Sequence, residues 1–240
     1  MDFAERVIPG LTSNFMYRQA MARYMFAKRY IRKPNLDIGC GTGYGTVGTG
    51  IDIDSEAIVF AKKHHKAEFI IGSALNLPFK NKIFSSVTSF EIIEHIKDYK
   101  KYLSEIKRVL KPNGILILST PRKNGPSNSP YHVKEFTQQE LNFILKKYFK
   151  SVKIYCQDSS KRAQKAWKDF LVSQEVRQNI IGFDFVNLRK LFPKELKEFM
   201  WKYLGNWFSK RKTQEQLTEK DFPIFEYNHS CQTLVAVCYR

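Results

Sequence analysis

Apolar positions recur along this chain with two periods. From Thr12 the residues Phe15, Met16, Ala20, Tyr24, Ala27 and Ile31 fall at helical spacing, and Pro34 ends the run. Ser55 reads as the N-cap of a second helix carrying Ala57, Ile58, Phe60 and Ala61, and further amphipathic stretches cover Tyr99 to Leu110 and Gln138 to Tyr148. Between them lie short stretches of strand character. These are Leu36–Ile38, Gly50–Asp52, Ala67–Ile71, Phe84–Phe90, Ile115–Leu118, Val152–Tyr155 and Thr233–Cys238. Strands alternating with helices predict an α/β fold with a doubly wound, mostly parallel sheet.

The first strand runs into Gly39, Gly41, Gly43 and Gly45, a spacing that suits a turn whose backbone must approach a ligand closely. The second strand ends in an acid, Asp52, placed as in dinucleotide-type folds that grip ribose hydroxyls. This stretch resembles motif I of the class I S-adenosylmethionine-dependent methyltransferases, of the type 11 and ubiquinone O-methyltransferase kind. Gly72 to Phe79 is similar to the family's adenine loop, with Ser73 where that family usually has Asp, so a side-chain bond from this position to the adenine is in question. The resemblance spans most of residues 5–157 and returns at 232–240. It implies a seven-stranded Rossmann-like sheet and S-adenosylmethionine held by Gly39, Cys40, Gly41, Thr42, Gly43, Asp52, Ile53, Ser73, Ala74, Leu75 and Phe90. Glu5 to Pro9, with Ala22 to Ala27, is also similar to the lead-in of a methyltransferase subgroup of glycan biosynthesis.

One spacing departs from the pattern. Gly39 and Asp52 are 13 positions apart, whereas the acid usually follows roughly 20 residues on, and a parallel crossover with its helix takes about a dozen residues. Either the crossover helix is cut to about one turn, or residues are absent between Thr46 and Val47. The second is the expectation, because losing the helix would expose one face of the central strand.

The fourth strand is followed by Glu91, Glu94 and His95, which share a face if they continue into a helical turn. His132 lies in the loop after the fifth strand, within Ser129 to Phe136. Both segments open at the strand carboxyl ends, where open α/β sheets bind ligands. Two carboxylates and two imidazoles in one place either share protons or bind a cation. Ubiquinone-pathway and small-RNA 2′-O-methyltransferases resemble this stretch and use it for a divalent cation. The implied catalytic set is His132, His95 and Glu94. The implied metal set is Glu91, Glu94, His95 and His132, for Mg²⁺, Mn²⁺ or Zn²⁺. The bland alternative is that Glu94 and His95 pack against the methionine end of the donor while His132 acts alone.

Composition narrows the setting. In 240 residues, 43% are hydrophobic and 14% aromatic, which argues for a folded globule. The net charge of +17 admits nucleic acid or an anionic membrane as partner, although scattered lysines also fit a solvated surface. Cys40, Cys156, Cys231 and Cys238 form no CxxC pair and are expected as reduced thiols of a cytoplasmic protein. Residues 1–158 and 232–240 read as the methyltransferase domain, and 159–231 as a helical, basic and aromatic insertion. There Leu196, Phe199, Met200, Tyr203, Leu204, Trp207 and Phe208 form one stripe, suited to a lid or to contact with a membrane. The function expected is O-methylation of a small-molecule or glycan hydroxyl, with peripheral membrane contact and a homodimer as further options. RNA 2′-O-methylation or another nucleic-acid methylation is the alternative. No recognised RNA-binding module is visible.

Overall fold

A computed structural model describes residues 13–125, 129–182, 217–227 and 231–240, with backbone alone for 173–182. The chain divides into two compact units, residues 1–159 with 218–240, and 160–217. The first unit holds a sheet of strands β1 (Asn35–Ile38), β2 (Thr49–Asp52), β3 (Glu68–Ile71), β4 (Phe84–Phe90), β5 (Leu110–Pro121), β6 (Ser151–Gln157), β7 (Ile224–Glu226) and β8 (Thr233–Tyr239). Their order is β3-β2-β1-β4-β5-β8-β6-β7. Strands β1 to β5 pair in parallel, while β8 is antiparallel to both β5 and β6. The eighth strand is the short β7, which pairs with β6 at the sheet edge and comes from the stretch expected to be a helical insertion.

The helices of this unit are α1 (Asn14–Ala27), α2 (Ser55–His64), α3 (Tyr99–Val109) and α4 (Gln138–Lys146). All four begin on side-chain caps, α1 on Ser13, whose Oγ accepts from the Met16 amide. The cap of α2 is Asp54 rather than Ser55: its Oδ1 accepts from the amides of Glu56 and Ala57. Asp98 caps α3, and Thr137 with Glu140 closes a capping box on α4. Helix α3 buries Tyr102, Leu103, Ile106 and Val109 completely, a stripe that meets β4 and β5 across the main core. Deleting such a side chain, as in Leu103→Ala, removes about 2–5 kcal/mol.

The connection from β1 to β2 contains no helix. Residues 39–48 cross in turns, with Gly43 N donating to Cys40 O and Thr46 N to Gly43 O. The central strand stays covered even so: Leu36, Asp37 and Ile38 are no more than 1% exposed. Cover comes from two directions. On one side α1 lays Tyr24 over Gly45, where a Cβ would stand 2.2 Å from the ring, so only glycine permits this approach. Tyr24 in turn packs edge-on against Tyr44 and Phe90. On the other side Cys40 packs with Ile58, Ala61 and Phe69 of α2 and β3. The exposure that favoured absent residues between Thr46 and Val47 therefore does not arise, and the shortened crossover is what the chain adopts.

Cys156 and Cys231 form a disulfide that spans 75 positions, and Cys40 and Cys238 are buried and free. This corrects the expectation of four reduced thiols. The pairing follows from strand neighbours, since Cys156 sits opposite Leu234 in the β6–β8 ladder, three residues beyond Cys231. The second unit contributes helix α5 (Lys161–Gly182), where Trp167 and Phe170 stack with ring centroids 5.4 Å apart. The Leu196 to Phe208 stripe and the lead-in at Glu5 to Pro9 lie outside the described residues.

Candidate active site

The parallel strands end on one edge of the sheet, and there the glycine loop follows β1. Gly41 has φ +52°, and a Cβ added to it would meet nothing within 4 Å. That open side is a cradle which a side chain would fill and a ligand can use. Asp52, at the end of β2, accepts from the Gly41 amide at 2.8 Å through one carboxylate oxygen and from the Asp54 amide at 2.9 Å through the other. Both oxygens keep lone pairs for a second donor. Beside them Ile53 is 75% exposed, an apolar face next to a carboxylate.

The other residues implicated by the sequence stand around this cradle in different ways. Gly39 abuts Ile92, so the glycine loop and the turn after β4 touch. The Cys40 side chain and Thr42 are buried, and burial pushes the Cys40 thiol far above its usual range. Ser73 uses its hydroxyl to accept from the Leu75 amide at 3.2 Å, and Ala74 and Leu75 pack half-buried on the main core. Phe90 is built into the aromatic cluster with Tyr24.

A residue that the sequence reading missed lies beneath the loop. Asp37, on β1, accepts from Thr46 Oγ1 at 2.7 Å, Thr88 Oγ1 at 2.8 Å and the Tyr24 hydroxyl at 3.0 Å. It thereby ties the short crossover to β4 and α1. Burial raises its pKa to about 6, against the three hydrogen bonds that lower it, while the nearby Asp52 raises it further. The signal was an acid in the middle of an otherwise apolar buried strand.

The turn after β4 separates its two glutamates. Glu91 has φ +55°, so the helical turn starts only beyond it, at Ile93–His95. Its carboxylate accepts from Ser119 Oγ at 2.6 Å and lies 4.0 Å from the buried Arg23 guanidinium. Glu94, His95 and His132 come together, each with one ligand-type atom within 4.8 Å of the others. Glu94 is fully buried. Its Oε2 accepts from Thr120 at 2.9 Å, whereas its Oε1 has no hydrogen-bond partner and stands 3.9 Å from His95 Nε2. Burial, then the charge of Glu91, holds this carboxyl well above the usual range.

The imidazoles are oriented by what their Nδ1 atoms meet. His95 Nδ1 is 3.1 Å from the Tyr131 carbonyl, which can only accept, so Nδ1 carries the proton. His132 Nδ1 is 2.7 Å from Glu135 Oε1. The rings meet edge-on at 5.1 Å. The His132 loop is held to the turn because the Glu94 carbonyl accepts from the amides of Val133 and Lys134. A buried carboxylate oxygen lacking a donor, beside two imidazoles, is a donor set suited to a proton or to a cation that accepts nitrogen ligands, such as Mn²⁺ or Zn²⁺.

A Rossmann-like sheet with a glycine cradle at the end of β1, an acid at the end of β2 and an acid–imidazole cluster after β4 defines a methyltransferase-type site. Comparison with known proteins agrees. The methyltransferase domain family matches residues 36–118. A norajmaline N-methyltransferase from Rauvolfia serpentina is 33% identical over 227 residues, covering 81% of this chain and 73% of that protein. A probable S-adenosylmethionine-dependent methyltransferase from Mycolicibacterium smegmatis is 30% identical over 159 residues, 59% of this chain and 62% of that one. The match thus spans about three fifths of that relative's length. Among solved structures, a possible histamine N-methyltransferase from Thermotoga maritima shares the fold, with a TM-score of 0.62 at 16% identity over 94% of this chain and 90% of that one. The chain belongs to the S-adenosylmethionine-dependent methyltransferase family.

Proposed function

We propose that this chain transfers a methyl group from S-adenosylmethionine to a hydroxyl of a small-molecule acceptor. The observation that carries the reading is the convergence of Glu94, His95 and His132 next to the cradle, with Glu94 Oε1 buried and unpartnered. The residues of the cradle fit the donor: the open side of Gly41, the remaining lone pairs of Asp52 for ribose hydroxyls, and the exposed Ile53 for an apolar ring. When bound, the donor supplies an electrophilic methyl on sulfur.

The chain's own work is to orient the acceptor and take its proton. A hydroxyl at neutral pH is a weak nucleophile, and a positioned base is worth about 10²–10⁴-fold. His132 is set for that role, because Glu135 holds its Nδ1 and the other ring nitrogen is the proton acceptor. Burial favours the protonated form of Glu94, and a positive charge beside Oε1, an imidazolium or a cation, would favour the carboxylate. The same three groups would hold a divalent cation, which supplies Lewis acidity.

An amine acceptor is the second reading, favoured by the name of the Rauvolfia relative. A neutral amine presents its own lone pair and needs no base before transfer. The finer expectations of a glycan acceptor and of membrane contact rest on the lead-in and on the stripe at 196–208, both outside the described residues. Among the described residues no helix is long and apolar enough to cross a membrane. The test is transfer from labelled donor across paired hydroxyl and amine acceptors, with and without chelator. Turnover of hydroxyls supports the reading; turnover confined to amines overturns it.

A further inference from the structure

The sheet has a second edge, opposite the cradle, and its charge is predominantly positive. Strands β1 to β5 start there, β6 starts there too because it opposes β8, and β8 ends there. In sheet order Lys66 precedes β3, Lys33 precedes β1, Lys82 precedes β4, Lys111 opens β5, Arg240 follows β8 and Lys150 precedes β6. Only β2 in this row, entered from Gly48, breaks the sequence of cations.

Backbone hydrogen bonds fix these positions as neighbours. Ser85 N donates to Pro34 O at 2.8 Å, Lys82 N to Arg108 O at 2.9 Å, Arg240 N to Gly114 O at 3.0 Å and Lys150 N to Tyr239 O at 2.9 Å. Lys33, Lys66, Lys82 and Lys150 are exposed, and Arg29, Arg32 and Lys147 stand exposed behind the row. The connecting segments 28–34, 62–67, 80–83, 107–114 and 146–150 contain no Asp or Glu. Two acids stand at this edge among the described residues: Glu68, to which Thr49 donates, and Glu105, which pairs with Arg108. The acids that could offset the row, Asp52, Asp54, Glu91, Glu94 and Asp98, gather at the other end of the strands.

We propose that this basic edge is a docking surface for the sugar–phosphate backbone of a nucleic acid, separate from the methyl-transfer site. Seven strands at about 4.8 Å spacing give a row about 30 Å long. Duplex DNA rises about 3.4 Å per phosphate of one strand, so the row matches a linear polyanion of about eight or nine base pairs. A bilayer is the poorer partner. The large apolar side chains exposed among the described residues are Met25, Ile53, Val59, Ile71, Tyr131, Val133, Phe143, Leu171 and Val172. None belongs to the connecting segments, so the edge offers no apolar anchor to insert among lipids. The connecting segments themselves carry no exposed aromatic ring, the exposed Phe143 lying behind the row beneath Lys147, which makes recognition along the row a matter of phosphates and insensitive to sequence.

The test uses the full chain and a fluorescent DNA duplex of about 20 base pairs, with anisotropy read across a salt series. Each phosphate neutralised contributes about −0.9 to the slope of log K against log salt. The triple variant Lys33→Gln, Lys82→Gln, Lys111→Gln should weaken binding by at least about tenfold and flatten the slope by about 2–3. An equal change of net charge at the other end, Lys97→Gln, Lys100→Gln, Lys101→Gln, should leave the slope within about one of the parent. S-adenosylmethionine affinity, measured by calorimetry, should be unchanged in the first variant and shows that it has folded. No duplex binding at low salt, equal losses in both variants, or binding to phosphatidylserine vesicles without binding to duplex would each overturn the proposal.

Discussion

The cradle and the acid–imidazole cluster sit side by side but are built on different principles. The cradle is mostly backbone: a glycine loop, one carboxylate at a strand end and amides bonded to that carboxylate. Its parts lie within 16 consecutive residues, from Gly39 to Asp54. The cluster is made of side chains drawn from the turn after β4 and from a loop some 37 positions later, His95 to His132. Its groups meet because Glu94 O accepts from the Val133 and Lys134 amides and the Tyr131 carbonyl accepts from His95 Nδ1. A site made of local backbone is robust and general, and serves the part of a reaction that does not vary. A site made of distant side chains is easily re-tuned, and serves the part that does.

The largest effect expected from breaking this contrast is chemical. His132→Ala should lower the rate on a hydroxyl acceptor by about 10²–10⁴-fold while donor affinity holds. Single-turnover kinetics beside calorimetry would check both halves, and a full rate in this variant removes His132 as the base.

Next comes a pH effect rooted under the cradle. Asp37 keeps its proton up to about 6 in the folded chain, whereas an unfolded aspartate releases it near 4. Between those values the folded state binds a proton that the unfolded state has lost, so stability falls as pH rises through the window. Two units correspond to about 3 kcal/mol. Glu94 is shifted in the same direction and carries the decline further upward. Urea unfolding across this range should show the fall, and Asp37→Asn should flatten its lower part. An unchanged profile in Asp37→Asn would mean that another group titrates.

A smaller loss is expected at Asp52. Charge-assisted hydrogen bonds of a carboxylate are worth roughly 1.5–3 kcal/mol, so Asp52→Ala should weaken donor binding by about tenfold or more. The same variant frees the Gly41 and Asp54 amides, and a drop in Tm should accompany it. Donor titration with no change in affinity would take Asp52 out of the site.

The smallest effect sharpens the boundary of the cluster. Glu91 bonds to Ser119 and faces Arg23, apart from Glu94, His95 and His132. Titration with Mn²⁺ or Zn²⁺ should therefore give Glu91→Gln within about threefold of the parent chain, while Glu94→Gln loses about tenfold or more, as removal of a charged ligand does. Equal losses would bring Glu91 back among the ligands.

Much of this was legible in one dimension because it depends on local periodicity. Strand β4 runs from Phe84 to Phe90, the limits read from the sequence, and α3 follows its stripe of Tyr102, Leu103, Ile106 and Val109. The glycine spacing and Asp52 likewise announce a cradle, since both sit beside their strands in the chain. Backbone requirements of this kind are met by neighbours in sequence, so the sequence alone determined the doubly wound fold and where its ligand edge lies.

Other features waited on the third dimension. Whether the missing crossover helix leaves β1 bare depends on Tyr24 reaching Gly45 from one helix and Phe69 reaching Cys40 from a strand, contacts that no spacing records. The positive φ of Glu91 divides a motif whose spacing suggests one face. Cys156 meets Cys231 across 75 positions because β6 and β8 lie side by side. Lysines scattered through five connections read as a solvated surface until the parallel sheet gathers them onto one edge. Chain order fixes which residues are adjacent along the backbone; packing alone decides which distant ones share a place, and charge and chemistry act through that shared place.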